Sequence, residues 1–326
     1  MLEKFRRNHF FNSILLLPYT ILLRIFSFSH SEQWSGVDNG FLSSEYLEWS
    51  TSPFYENILA ILLVFVQGVL INRIVIINRL SNGIHLFAGL FYILIVSMIP
   101  AGQYLSPVLL ANTFFILGLT DLFYAYKRAE TSGKIFNAGF WIGFSAMFYS
   151  PYIIFTLFGL IGLSVLRVFK VKEAFQFLIG ILSILFLVSV YGYWTYSDLS
   201  FFGNYFENFG FVHFVMDGNY FNYGKLVLFG FLITMAIFSY NRNTIRKSIQ
   251  ARKKIDVLYW MMLFSGISMV FFSNLNIYHL EVVSIPLAIF LGFQAFNMKS
   301  RPMAELLHLT LFSIALAIQI VPYFIK

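Results

Sequence analysis

The sequence predicts an all-α fold, a polytopic bundle of transmembrane helices, and three observations support this class. Hydrophobic residues make up 59% of the chain and charged residues only 11%, whereas soluble domains carry roughly 25% charged residues. The apolar residues form repeated blocks of about 16–24 residues, each long enough to cross the ~30 Å hydrocarbon layer of a bilayer as a helix. The blocks do not alternate in polarity as the strands of a membrane barrel would.

Eleven apolar runs are predicted to span the membrane within a single integral membrane domain, residues 1–326. The runs are 11–28, 55–72, 84–101, 106–125, 135–149, 151–167, 174–195, 225–240, 257–273, 280–297 and 304–323. The predicted connections include two outer loops, 29–54 and 197–224, and a basic cytoplasmic loop, 241–256. The N-terminal segment resembles a signal peptide, but no cleavage site with small residues follows it, so the first run is expected to remain as a helix.

Lys and Arg residues predict the orientation of the spans, because short cytoplasmic loops retain positive charge during membrane insertion. With the N-terminus in the cytoplasm, every basic residue except Arg24, Lys225 and Lys326 falls in a predicted inner segment. Most acidic residues fall on the outer side. This distribution also explains the net charge of +7, so nucleic acid is not a predicted partner.

Residues 135–167 are predicted to form a helical hairpin, two short spans joined by an outer turn. Both ends are basic, at Lys134 and Arg167. Pro151 interrupts the apolar run midway, where it removes a backbone hydrogen bond. The alternative is one kinked span, which would invert every later span and place loop 241–256 outside.

Motifs for cofactors and metals are missing from the sequence, so no cofactor and no metal site is predicted. The chain has no cysteine, which excludes disulfides and sulfur-ligated metals. It has no phosphate-binding loop, no GxGxxG before a helix and no HExxH. Its six histidines are scattered along the chain instead of grouped at ligand spacing.

Two charged residues within predicted spans are candidates for lipid or partner binding, because a charge in the hydrocarbon layer costs about 2.5–3.5 kcal/mol. Arg24 lies toward the outer end of the first span, and Asp121 lies near the inner end of the fourth. The alternative for both is simple anchoring. Arg24 can reach the outer headgroups or Glu32, and Asp121 can pair with Lys127 or Arg128.

Two polar segments hold further candidates for lipid or partner binding. The second outer loop combines His213 and Asp217 with many aromatic residues, a composition that suits a sugar carried on a lipid. A plain interfacial loop is the alternative. In the basic loop, Arg252, Lys253 and Lys254 are expected to contact anionic lipid headgroups, with docking of a cytoplasmic partner as the alternative.

The order of elements resembles the core of the GT-C superfamily of glycosyltransferases. The resemblance rests on a first helix followed by an acidic outer loop, and on short paired helices in KIFNAGFWIGFSAMFYSPYIIFTLFGLIGLSVLR. The whole chain looks still more like an uncharacterised family of Bacteroidota inner-membrane proteins, judged from NRIVIINRL, SPVLLANTFFILGL, IFNAGFWIGFSAMFYSP and PLAIFLGF. This resemblance implies a multi-pass protein of the bacterial inner (cytoplasmic) membrane and no established activity.

The superfamily resemblance also implies catalytic candidates. GT-C enzymes use lipid-phosphate-linked sugars at the outer membrane face, with an Asp or Glu of the first outer loop as the acid/base residue. The positions that match by placement are Asp38, Glu45 and Glu48, although the paired acidic dipeptide common in the superfamily is missing. GVDNG predicts a turn at Asp38, and FLSSEYLEW predicts an interfacial helix with both glutamates facing water. Asp38 is therefore the first catalytic candidate, with turn formation alone as the alternative.

Three functions are compatible with these features, and whether the protein is an enzyme stays open. Few cations lie on the outer side to stabilise a leaving phosphate, so the favoured hypothesis is a non-catalytic membrane subunit that contacts a protein partner in cell-envelope assembly or export. The alternative is a glycosyltransferase that uses a lipid-phosphate-linked sugar. A secondary transporter comes third, since no inverted repeat is evident. Membrane lipids are expected partners in each case.

A reporter fused after Lys254 should score as cytoplasmic and one fused after Asn219 as external, because positive charge holds the inner segments in the cytoplasm. Fused alkaline phosphatase, active outside, and fused green fluorescent protein, fluorescent inside, measure the two locations. An external score at Lys254 would show that the predicted hairpin does not cross the membrane twice.

Overall fold

A computed structural model describes residues 2–6, 10–25, 40–42, 52–99, 103–126, 131–196, 210, 220–245, 247–271 and 277–324. In this part of the chain every regular element is an α-helix or a short 3₁₀ helix, which confirms the all-α class. The 3₁₀ helices are Ser150–Ile154 and Ile277–Val283. We number the α-helices along the chain: α1 (Leu2–Phe5), α2 (Phe10–Ile14), α3 (Leu16–Leu23), α4 (Pro53–Ile77), α5 (Phe87–Val96), α6 (Pro107–Tyr124), α7 (Ser132–Phe148), α8 (Phe155–Leu166), α9 (Val171–Tyr196), α10 (Tyr220–Phe238), α11 (Tyr240–Thr244), α12 (Ile249–Val270), α13 (Ser284–Asn297) and α14 (Arg301–Phe324).

Each predicted span overlaps at least one of these helices. Five helical segments are long and apolar enough to cross a membrane by length and composition, namely Pro53–Ile77, Pro107–Tyr124, Val171–Thr195, Ile277–Asn297 and Arg301–Ile320. Shorter apolar helices accompany them, at Phe11–Leu23, Phe87–Val96, Ser150–Leu166 and Asn222–Phe238. The predicted polytopic helical fold is thereby confirmed.

The helices α7 and α8 form the predicted hairpin. The 3₁₀ helix Ser150–Ile154 turns the chain between them. Arg167, just after α8, donates a hydrogen bond through Nη1 to Oγ1 of Thr131, just before α7, at 2.7 Å. The hairpin therefore starts and finishes at the same end of the bundle, and the alternative of one kinked span is wrong.

The helix α12 begins earlier than the sequence predicted. Oγ of Ser248 accepts a hydrogen bond from the backbone N–H of Ala251 at 3.2 Å, which caps the helix N-terminus. Residues 249–256 of the predicted basic loop therefore belong to α12, and Tyr240–Thr244 form α11. The predicted loop 241–256 is mostly helical because a serine cap and long side chains with good helix propensity outweigh its charge.

Predicted inner segments meet at one end of the bundle, which we call the basic end. The backbone N–H of Leu86, in the α4–α5 loop, donates to the carbonyl of Phe5 at 2.9 Å. Nζ of Lys254, in α12, donates to Oδ1 of Asn78 at the end of α4. These contacts bring segments from three parts of the chain to the same end, as the charge distribution predicted. That this end faces the cytoplasm stays a prediction.

Two short helices, α5 and α13, lie at the centre of the bundle. Every residue of α5 is buried, as is most of α13. Glycine allows their backbones to approach, because a Cβ on Gly292 would lie 2.9 Å from the backbone nitrogen of Ala88. The helix α4 packs as closely, since a Cβ on Gly89 would lie 2.2 Å from the carbonyl oxygen of Gly68. Small residues at such contacts are how helices pack in lipid.

The contact between α7 and α9 gives a test of this packing. A Cβ on Gly139 would lie 2.0 Å from the carbonyl oxygen of Phe177, so Gly139→Ala should push the helices apart and lower stability by about 1–3 kcal/mol. Thermal unfolding of the purified protein in detergent measures the loss. Gly230→Ala in α10 is the matched control, because nothing lies within 4 Å of that Cβ, and it should be neutral or slightly stabilising. Equal losses in both variants would contradict the packing argument.

Candidate functional site

Six polar side chains are buried together inside the bundle, and we call them the polar core cluster. None of them has any exposed surface. The members are Arg24, Gln67, Tyr92, Asn112, Tyr152 and Glu281. Burying polar groups in an apolar setting is costly unless they are hydrogen-bonded or paired, so the contacts of each side chain decide what the cluster can do.

An arginine and a glutamate provide the charges of the cluster. Arg24 directly follows α3, and its backbone N–H donates to the carbonyl of Ile21 at 3.0 Å. Glu281 lies in the 3₁₀ helix that precedes α13. The two opposite charges attract each other, and Tyr92 of α5 interacts with Arg24 as well. The cluster therefore contains a basic and an acidic side chain that are both removed from water.

Hydrogen bonds link Glu281 to the hairpin turn. Nδ2 of Asn112, in α6, donates to Oε1 of Glu281 at 3.2 Å. The hydroxyl of Tyr152, next to the proline of the turn, donates to Oδ1 of the same asparagine. Oε2 of Glu281 has no hydrogen-bond partner within the described ranges. One carboxylate oxygen is thus held in place, while the other can accept a further hydrogen bond.

A second set of hydrogen bonds joins α4, α5 and α6. The hydroxyl of Tyr92 donates to Oε1 of Gln67 at 2.7 Å. Nε2 of Gln67 donates to the carbonyl of Leu109 and to Oγ1 of Thr113, each at 2.7 Å. This side of the cluster is therefore fixed by contacts within the protein.

A buried histidine lies two residues before Glu281. Nδ1 of His279 is hydrogen-bonded to the hydroxyl of Tyr149 at 2.7 Å, and Nε2 to Oγ of Ser268 at 3.0 Å. Both ring nitrogens are thus engaged by side chains. In the part of the chain that the structure describes, no group of three or more His, Asp or Glu residues could hold a metal.

Five of the residues selected from the sequence lie outside the described residues. They are the catalytic candidates Asp38, Glu45 and Glu48, and the binding candidates His213 and Asp217. Their roles stay predictions.

The two charged residues predicted within spans have different environments. Arg24 lies inside the bundle, with no exposed surface, instead of reaching the headgroups. Asp121 is paired with Lys134, Oδ1 to Nζ at 2.7 Å. The sequence favoured Lys127 and Arg128 as its partners, and these lie outside the described residues. Lys134 lies 13 positions further along the chain, and the turn between α6 and α7 brings it back to α6.

The basic residues of α12 do not share one environment. Arg252 is exposed and Lys253 is half-buried. Lys254 is buried, and its Nζ lies 5.7 Å from the ring centroid of Phe123 and 5.6 Å from that of Tyr126. Lys254 therefore stabilises the bundle end instead of contacting lipid headgroups. Arg252 and Lys253 keep their predicted lipid or partner role.

Most of the polar core cluster was not selected from the sequence. Gln67 and Asn112 stand alone in apolar runs, VFVQGVL and VLLANTFF. Such isolated amides in predicted spans are the signal that could have found them, since a polar group in lipid needs a partner. Glu281 was assigned to the outer boundary by charge distribution alone.

Comparisons with known proteins add a family and a fold. Residues 41–323 match the model of DUF6427, described as a family of unknown function. The match agrees with the family resemblance expected from the sequence, while the Bacteroidota origin stays a prediction. No curated protein matches the sequence.

Two solved structures of ArnT from Cupriavidus metallidurans share the fold. The one bound to undecaprenyl phosphate aligns with TM-score 0.52 and 16% identity over 91% of this chain. The apo structure aligns with TM-score 0.51 and 16% identity over 90% of this chain. The chain spans 62% and 61% of the two ArnT chains. The likeness confirms the distant GT-C-like arrangement of helices.

Replacing the acid of Glu281 should destabilise the protein. Glu281→Gln keeps the shape and an acceptor for Asn112 but removes the electrostatic attraction to the buried Arg24, so it should lower the stability by about 1–3 kcal/mol. Thermal unfolding in detergent measures the loss. Glu3→Gln is the matched control, since its ion pair with Arg301 is exposed and should be worth about 0–1 kcal/mol. Similar small losses in both variants would show that the buried charge attraction is unimportant.

Proposed function

This chain belongs to the DUF6427 family of unknown function, and we propose that it binds a lipid-phosphate-linked sugar at the polar core cluster and transfers the sugar to an acceptor at the outer membrane face. The observation that carries the proposal is the fully buried pair of Arg24 and Glu281. A buried charge in a membrane bundle marks a functional position by default. An anionic substrate would bind to such a buried cation.

The position of Arg24 in the chain supports this choice. It stands at the end of α3, directly before the first predicted outer loop, in which the catalytic candidate Asp38 lies. The cation and the candidate acid/base are therefore separated by one short stretch of chain. In a glycosyl transfer at the outer face, both groups are needed at the same place.

The shared fold supports the class of ligand. One of the two similar ArnT structures is bound to undecaprenyl phosphate. At 16% identity the similarity supports the arrangement of helices alone. The class of ligand is therefore our proposal for this chain. A lipid phosphate has the anionic group that an arginine recognises best, through two parallel hydrogen bonds from its planar guanidinium.

The residues of the cluster have separate roles in the proposed reaction. Arg24 binds the phosphate and stabilises the negative charge that develops on it, while Glu281, held by Asn112, attracts the guanidinium electrostatically. Asp38, or Glu45 or Glu48 in its place, accepts the proton of the acceptor hydroxyl. The hydroxyl oxygen bonds to the anomeric carbon of the sugar, the bond from that carbon to the phosphate oxygen breaks, and the phosphate leaves on its lipid.

A non-catalytic membrane subunit is the second candidate function. It is favoured by the hydrogen bonds of Gln67, Tyr92 and Tyr152, which are made within the protein. Such contacts make the cluster a stabilising element without any ligand. In this case the protein would contact an envelope protein partner through its outer loops.

Arg24→Gln should weaken binding of undecaprenyl phosphate about 10-fold or more, because a charge-assisted contact to the phosphate is lost. Native mass spectrometry of the detergent-purified protein, titrated with undecaprenyl phosphate, measures the affinity. Arg301→Gln removes an exposed cation at the basic end and should leave the affinity unchanged. Equal affinity of wild type and Arg24→Gln would contradict the binding site.

Asp38→Asn separates the enzyme from the subunit, because it keeps the turn propensity but removes the proton acceptor. For a transferase, the variant should bind undecaprenyl phosphate normally and fail to complement a deletion strain at normal protein level. Normal complementation by Asp38→Asn, Glu45→Gln and Glu48→Gln together would exclude acid/base catalysis by this loop and favour the subunit.

A further inference from the structure

Two cationic side chains at the basic end lie against aromatic rings. Cζ of Arg6 is 5.8 Å from the ring centroid of Phe87 and 5.5 Å from that of Phe296. Nζ of Lys247 is 5.9 Å from the ring centroid of Phe293. Neither cation has an acidic partner within ion-pair distance in the described ranges of the chain. Both are half-buried, so two positive charges are held in place without a counter-charge.

A buried histidine in the α4–α5 loop lies within reach of both charges. His85 stacks on the ring of Phe296 with centroids 4.4 Å apart. Its Nδ1 accepts a hydrogen bond from the backbone N–H of Phe87 at 3.2 Å, so that nitrogen carries no proton. Burial and, after it, the two cations lower the pKa of His85 to about 3. His85 is therefore neutral, and the positive charge of this site comes from Arg6 and Lys247.

The framework around the two cations is fixed. The backbone N–H of Leu86 donates to the carbonyl of Phe5, which places Arg6 beside the α4–α5 loop. Nδ2 of Asn82, in the same loop, donates to Oδ1 of Asn297 at the end of α13, at 3.1 Å. The place is built from three separate stretches of chain before any ligand binds, and such preorganisation lowers the cost of binding.

We propose that Arg6 and Lys247 bind the phosphodiester of an anionic phospholipid in the leaflet at the basic end. Two positive charges without acidic partners among the described residues attract a phosphate, and anionic lipid headgroups attract basic side chains at the membrane surface. Exposed isoleucines neighbour the site in sequence, at Ile84, Ile245 and Ile249, and they offer apolar surface to acyl chains. A free phosphate ion would gain nothing from that surface. The site shares no residue with the polar core cluster, and the proposal does not rest on the proposed transfer.

Titration of the full-length protein in detergent with phosphatidylglycerol, followed by native mass spectrometry, tests the site. Arg6→Gln and Lys247→Gln should each weaken binding about 5-fold, which corresponds to about 1 kcal/mol per basic residue. The double variant should lose about 25-fold if the effects add. Lys170→Gln, which removes an exposed charge of another predicted inner segment, should change the affinity less than about 2-fold. Phosphatidylcholine should bind weakly to every variant.

Two outcomes would overturn the proposal. If Lys170→Gln weakens binding as much as Arg6→Gln, the lipid is attracted by the overall charge of the inner segments and not by this site. If inorganic phosphate at millimolar concentration displaces phosphatidylglycerol, the site takes a soluble anion. Circular dichroism confirms the helical content of each variant, and if the double variant does not fold, the two single variants decide.

Discussion

The burial of a basic and an acidic side chain, Arg24 and Glu281, is the constraint on which the rest of this structure depends. Such groups are costly in an apolar bundle unless hydrogen bonds and electrostatic attraction offset the loss of water. Asn112 and Tyr152 provide hydrogen bonds to Glu281 from α6 and the hairpin turn. The turn, α6 and the 3₁₀ helix before α13 are therefore bound to one another, and Arg24 at the end of α3 is attracted to Glu281 electrostatically. Glycine contacts between the central helices allow the close approach that these short side-chain contacts require.

The basic end and the polar core cluster hold their charged and polar groups in different ways. At the basic end the charged groups satisfy chain termini and turns: Arg167 bonds to Thr131, and Lys254 bonds to Asn78 and lies over aromatic rings. Arg6 and Lys247 are the exceptions, since they lie on rings without an acidic partner in the described residues. In the polar core cluster the charged and amide groups are sealed from water and bond to one another. The cations at the basic end suit contacts with lipid headgroups, whereas the polar core cluster suits one bound ligand or a purely stabilising role.

The proposed transferase and the proposed subunit need the same buried cluster but use it differently. A transferase needs Arg24 to bind a phosphate besides being attracted to Glu281, which is feasible because guanidinium has five donors. A subunit needs the cluster to stay closed, and the contacts of Gln67 with Tyr92 and Thr113 serve that purpose without a ligand. The fold shared with ArnT allows both uses, because function depends on the site and not on the fold.

The sequence by itself determined the membrane class, the helices and the hairpin, because these depend on local composition: long apolar runs, Pro151, and the basic residues Lys134 and Arg167 at the hairpin ends. It also placed the inner segments at one end, since charge is sorted during insertion. Only the tertiary structure decided that Gln67, Asn112 and Glu281 belong to one cluster. These polar residues are isolated and far apart in the chain, so no periodic pattern in the sequence links them. They come together only when α4, α6 and the 3₁₀ helix pack. The same holds for Lys254, which is buried while Arg252 is exposed. The start of α12 at Ser248 and its packing against the end of α4 decide which of these side chains faces the bundle.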